Sequence, residues 1–145
     1  MKFDQHTWII TADTTSCRIY ASKAKPHDLT LVKEMVHPQG KLKDIDLTSS
    51  KAGRTEQGTY TQQSDPKEIE IDSFARTIAD ELDDGRNIHA YEKLIVVAPP
   101  HMNGLLFHHT NKHVNNLVSH NIKSDVMHFS KQELSDFLDK HLRPQ

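Results

Sequence analysis

The sequence predicts a mixed α/β domain: a five-stranded sheet with helices on both faces, formed by residues 1–145 as a single domain. Three observations carry this. β-branched and aromatic runs with short turn-rich connections fill the first 36 residues, which is the pattern of an antiparallel meander. The second half alternates amphipathic stretches with short apolar runs, which places helices on the faces of a sheet. A polar stretch at about 37–65 divides the two halves and shows neither period.

In chain order, Thr7-Trp8-Ile9-Ile10-Thr11-Ala12 reads as the first strand, and Asp13-Thr14-Thr15-Ser16 supplies turn chemistry. Cys17-Arg18-Ile19-Tyr20-Ala21 alternates as the second strand. Pro26-His27-Asp28 breaks the chain before a third, Leu29 to Val36. Asp65-Pro66-Lys67-Glu68 has the form of a helix start, with a cap followed by proline at the first helical position. Ile71, Phe74, Ala75, Ile78, Ala79 and Leu82 then form one apolar stripe, and Gly85 is placed to end the helix. Leu94 to Ala98 is continuously apolar, hence a strand covered on both faces, and Pro99-Pro100 stops it. A helix carrying Leu105, Leu106, Val114, Leu117 and Val118 is expected next, followed by a strand within Ile122 to Phe129. Ser130-Lys131-Gln132-Glu133 is a capping box opening a last helix, with Leu134, Phe137, Leu138 and Leu142 inward.

Composition narrows the class. The 145 residues suit one core, and no run approaches the roughly 20 apolar residues of a membrane span. Met1 to His6 lacks the apolar core of a secretory signal, and one cysteine, Cys17, makes no internal disulfide. A cytoplasmic protein with no membrane partner is expected. The net charge of −2 conceals an asymmetry. From Asp65 to Glu92 there are nine acidic and three basic residues, which reads as a solvated helix face. From Lys93 to Ser124 there is no acidic residue, but three lysines and five histidines, a weakly positive surface. This balance excludes a strong, sequence-independent DNA binder, which draws its affinity from many phosphate contacts.

Three stretches stand out: His37-Pro38-Gln39-Gly40-Lys41-Leu42-Lys43-Asp44-Ile45-Asp46-Leu47 with Gly53-Arg54 downstream, Phe74-Ala75-Arg76-Thr77-Ile78-Ala79, and Leu94-Ile95-Val96-Val97-Ala98-Pro99-Pro100 with Gly104-Leu105. Together they resemble the bacterial host-attachment protein family. The resemblance covers nearly the whole chain in order. It implies a fold like the middle domain of archaeal and eukaryotic peptide release factors, related to the ribonuclease H-like class. Function by fold analogy is only associational.

Candidate sites follow from the residues. A ribonuclease H-like nuclease needs clustered carboxylates for two metals. Asp13 ends the first strand, but the fourth ends in Ala98-Pro99-Pro100, so Asp13 reads as a turn residue. Release factors carry a Gly-Gly-Gln loop before a long helix. Gln57 to Ser64 occupies that place, with Gln62 and Gln63 as the candidate catalytic pair because an amide both donates and accepts. The paired glycines are missing. Lys41, Lys43, Lys51 and Arg54, with His37 at the entrance, make 37–54 locally basic and are the candidate RNA or ligand contacts, Arg54 first. His109 and His113, four apart, share a helix face and suit two zinc ligands. No metalloprotease Glu or third ligand accompanies them, so no metal and no cofactor is expected. No serine sits in a nucleophile elbow.

The expected function is a non-enzymatic or weakly catalytic module associated with RNA, the ribosome or tRNA. The alternative is a protein-interaction or regulatory module whose link to attachment is indirect. A peptidyl-tRNA hydrolase using Gln62 and Gln63 is the third reading.

Overall fold

The computed structural model describes residues 6–23, 29–37 and 65–142. Their strands are β1 (Thr7–Ala12), β2 (Ser16–Ser22), β3 (Thr30–Val36), β4 (Lys93–Val97) and β5 (Val118–Ile122). Their helices are α1 (Pro66–Asn87), α2 (Pro100–His109), the single turn α3 (Lys112–Asn115) and α4 (Lys131–Leu142). The strands form one mixed sheet in the order β3-β2-β1-β4-β5. β1, β2 and β3 are the expected antiparallel meander, and β4 and β5 run parallel to β1.

Side-chain alternation along β1 builds two cores. Trp8, Ile10 and Ala12 point to one face, where Phe74, Ala75, Ile78 and Leu82 of α1 and Met102 and Leu106 of α2 cover them. Ile9 points to the other, with Tyr20, Ile95 and Val97, beneath Leu134 and Leu138 of α4. The helices therefore lie on both faces, in the mixed α/β class that the residue pattern predicts. β4 is buried from Leu94 to Val97 between β1 and β5.

Local capping signals act where they were read. Asp65 Oδ1 accepts the Lys67 N–H at 3.1 Å, and Pro66 occupies the first turn. Ser130 Oγ accepts the Glu133 N–H at 3.0 Å while Glu133 Oε1 accepts the Ser130 N–H at 2.8 Å, completing the box.

Three expectations need correction. Gly85 does not end α1. The helix runs on to Asn87, and Gly85 is buried inside it against Trp8, whose Cη2 would lie 2.5 Å from a Cβ at that position. The chain leaves the helix through a Schellman arrangement instead: Ala90 N–H donates to Gly85 O (2.8 Å) and His89 N–H to Arg86 O (3.0 Å). His89, at φ 57°, takes the left-handed position that usually falls to glycine. The helix expected through Val118 stops at His109, where Thr110 is extended and Asn111 starts a separate turn by accepting the Val114 N–H at 2.9 Å. The last strand lies at Val118–Ile122, earlier than expected. As an edge strand it leaves Ser119, His120 and Asn121 exposed, so it lacks the apolar run that marks β4.

Candidate functional site

The parallel strands β1, β4 and β5 finish at the same end of the sheet. In open α/β sheets this carboxyl edge is where ligands bind. Four segments converge there. The β1–β2 turn is held by Asp13, whose Oδ1 accepts Thr15 N–H (2.8 Å), Thr15 Oγ1–H (2.9 Å) and Ser16 N–H (2.9 Å). β3 ends against this turn, with the His37 N–H donating to Thr15 O at 2.9 Å. β4 passes through Pro99-Pro100 into α2. The start of α1 meets the start of α2 where Glu68 Oε1 lies 3.1 Å from His101 Nε2.

Asp13 therefore does the work of a turn residue, as its sequence context indicates, with one carboxylate oxygen engaged by three donors. The β4–α2 junction brings no carboxylate beside it. Among the described residues no group of three or more His, Cys, Asp or Glu stands close enough to hold a metal ion. Burial, then the nearby carboxylates of Glu81 and Asp13, push the Cys17 thiol far up, so it carries no thiolate nucleophile.

His37 is buried at 6% exposure, its ring edge-on to Phe74 of α1 at 5.1 Å between centroids. Through that contact the end of β3 is tied to α1. Lys41, Lys43, Lys51, Arg54, Gln62 and Gln63 lie outside the described residues. All of them fall in sequence between His37, at the end of β3, and Asp65, the α1 cap.

His109 and His113 do not share a helix face, because the break at Thr110 separates them. His109 instead closes the α1–α2 seam, its Nε2 2.8 Å from Asp72 Oδ1. His113 is exposed on α3. Asp83 accepts from Asn111 at 3.0 Å and from Arg86 at 2.9 Å, and these two bonds hold its carboxyl below the usual range. The charge asymmetry thus has a partly structural meaning. Glu68, Asp72 and Asp83 of the acidic helix each reach a partner on or beside α2 and α3 while keeping part of their surface in water, so the two oppositely biased stretches meet along this seam. Pairing these carboxylates with particular histidines needed the fold. The asymmetry alone was the available signal.

A surface hollow of about 340 Å³ lies elsewhere, on α4, lined by Phe129, Glu133, Asp136, Phe137, Lys140 and His141.

A five-stranded mixed sheet of this order with helices on both faces defines an α/β domain. It is similar over 96% of its length to part of an archaeal translation termination factor, aRF1 (TM-score 0.55, 13% identity, 35% of that chain). It is also similar over 95% of its length to a protein described only as archaeal (TM-score 0.53, 14% identity, 34% of that chain). The chain spans about a third of the length of these solved structures, and at such identities the likeness is one of fold. The chain belongs to the family described as "Protein required for attachment to host cells", whose model matches residues 8–138. No curated protein matches it. No helix among the described residues is long and apolar enough to cross a membrane.

Proposed function

We propose that the chain is an RNA- or ribosome-associated module of the host-attachment family, non-enzymatic or weakly catalytic, that reaches its partner through the segment between His37 and Asp65. The observation that carries this reading is where that segment is rooted. Both of its ends belong to the carboxyl edge of a sheet whose fold is like that of a translation termination factor domain. Its lysines, Lys41, Lys43 and Lys51, and Arg54 supply charges suited to phosphate. Gln62 and Gln63 lack the glycines that let a backbone approach a reacting centre closely, which supports a holding role over a hydrolytic one.

Sedimentation of the protein with ribosomes through a sucrose gradient tests the proposal. Co-migration at low salt, lost at high salt and weakened by Arg54→Ala, is expected. Absence from ribosomal fractions at low salt overturns it.

One observation favours the alternative, a protein-interaction module: edge strand β3 leaves Leu31, Val32 and Val36 about half exposed. A defined protein captured after nuclease treatment, and lost on Val36→Lys but not on Arg54→Ala, would decide for it.

A further inference from the structure

Asn103-Gly104, inside α2, is the one place in the sequence where asparagine precedes glycine. The other asparagines precede Ile88, Lys112, Asn116, Leu117 and Ile122. The pairing matters chemically, because a glycine amide nitrogen has no neighbouring Cβ to keep it from the preceding side-chain carbonyl. Packing does not call for glycine at 104: the residue is exposed, and a Cβ there would meet nothing within 4 Å. The fold nevertheless keeps the two reacting groups apart. Asn103 is 2% exposed, and its Nδ2 donates to Asn121 Oδ1 at 2.7 Å and to Ala98 O at 3.4 Å. Its Oδ1 accepts from Asn121 Nδ2 at 3.1 Å, so two amides clasp each other between α2 and β5. Gly104, as an interior helical residue, directs its N–H along the axis to the preceding turn and not toward the Asn103 amide.

We propose that Asn103-Gly104 is a deamidation site gated by the fold: shut while α2 is seated, open once α2 detaches, and after reaction a bar to its seating again. The inference is independent of the RNA reading above. Met102 and Leu106 anchor α2 in the core, so the helix detaches only with loss of that packing, and the native chain opens rarely. In the opened chain Gly104 N loses its proton and bonds to Asn103 Cγ, the Cγ–Nδ2 bond breaks, and ammonia leaves with that proton. Water then opens the resulting imide at either carbonyl, leaving aspartate, or isoaspartate with its peptide bond running through Cβ. Water is consumed, ammonia is released, and nothing is oxidised or reduced. Either product fits the native site badly. A carboxylate at 103 has no hydrogen to give Asn121 Oδ1 or Ala98 O, in a place shut off from water. Isoaspartate adds a carbon to the backbone, which breaks the helical repeat between Met102 and Leu106.

The test holds the full chain at mildly alkaline pH in buffer and in denaturing urea, while peptide mass spectrometry follows the conversion of amide to acid at Asn103. When opening and closing are fast, the rate follows the open fraction, so reaction in buffer is expected to be at least about a hundredfold slower than in urea. Asn121→Ala, which removes the partner amide, is expected to raise the rate in buffer and leave the rate in urea unchanged. Gly104→Ala is expected to abolish most of the reaction in urea. Wild-type protein converted in urea and returned to buffer is expected to unfold at a lower urea midpoint than protein carried briefly through the same steps. Equal rates in buffer and urea would overturn the gate, and the absence of reaction at Asn103 in urea would overturn the site. An unchanged midpoint after full conversion would overturn the bar to reseating.

Discussion

Two glycines in helices, Gly85 and Gly104, should respond to alanine with opposite signs. Both occupy helix interiors, where replacing glycine by alanine contributes about 1 kcal/mol through helix propensity. At Gly104, exposed on α2, an added Cβ meets nothing within 4 Å, so that gain stands alone. At Gly85 the same atom would lie 2.5 Å from Trp8 Cη2, 2.7 Å from Trp8 Cζ3 and 3.2 Å from Tyr91 Cε1. Carbon pairs rest at about 3.5–4 Å, so the indole must retreat by about 1 Å. It has little room to do so. Trp8 is buried and stacked on Tyr91 at 4.7 Å, and Tyr91 is held by its hydroxyl donating to Leu82 O at 2.7 Å. Overpacking of this kind costs about 1–3 kcal/mol or more, which outweighs the propensity gain. Gly104→Ala should thus raise stability by about 0.5–1 kcal/mol, and Gly85→Ala should lower it by about 1–2 kcal/mol. For a chain of this size that is about 2–4 °C in Tm per kcal/mol. Urea unfolding followed by Trp8 fluorescence reads both variants, since Trp8 is the single tryptophan and sits at the perturbed contact. A midpoint for Gly85→Ala equal to or above the wild type would refute the packing argument.

Two further outcomes follow from the same end of α1. His89→Gly should stabilise the protein by about 1 kcal/mol, because a left-handed residue with a Cβ carries a cost of that order. A urea midpoint that fails to rise would show the strain to be relieved elsewhere. Tyr91 governs the alkaline limit: burial pushes its hydroxyl from 10.0 up to about 12. Between those values the unfolded chain has released this proton and the native chain has not, so stability falls as pH rises, by on the order of 2 kcal/mol in all. Tyr91→Phe should flatten the unfolding profile over that window, and an unaltered slope would remove Tyr91 as its cause.

How far the fold could be read depended on the range of the interaction. Asp65 with Pro66, and Ser130 with Glu133, act within one turn, and their residues announce them. The stripe on α1 and the apolar run of β4 are equally local. Gly85 misled because its purpose is set by Trp8, far away in the chain, while the helix stop that glycine seemed to mark is performed by His89. The α2–α3 break was hidden because Leu105, Leu106, Val114 and Leu117 keep an apolar rhythm across it, and only Asn111 signals a new cap. β5 was displaced because an edge strand need not look apolar. At the candidate site, Asp13 was legible as a turn residue. The burial of His37 against Phe74 was not, since a basic neighbourhood in sequence does not indicate which ring turns inward.

The edge strand β3 bears on how the protein behaves in a crowd of its own copies. Its exposed Leu31, Val32 and Val36 would ordinarily invite sheets to join edge to edge. A second copy laid antiparallel in full overlap would be centred on Lys33, whose ammonium is already paired with Glu81 at 3.0 Å and so offers a like residue no new partner. It would also oppose Leu31 to Met35. The irregularity opposite Ile19 and Tyr20 has placed these two on different faces, Leu31 beside Tyr20 and Met35 beside Cys17. In this register the strand is thereby a poor match for a copy of itself.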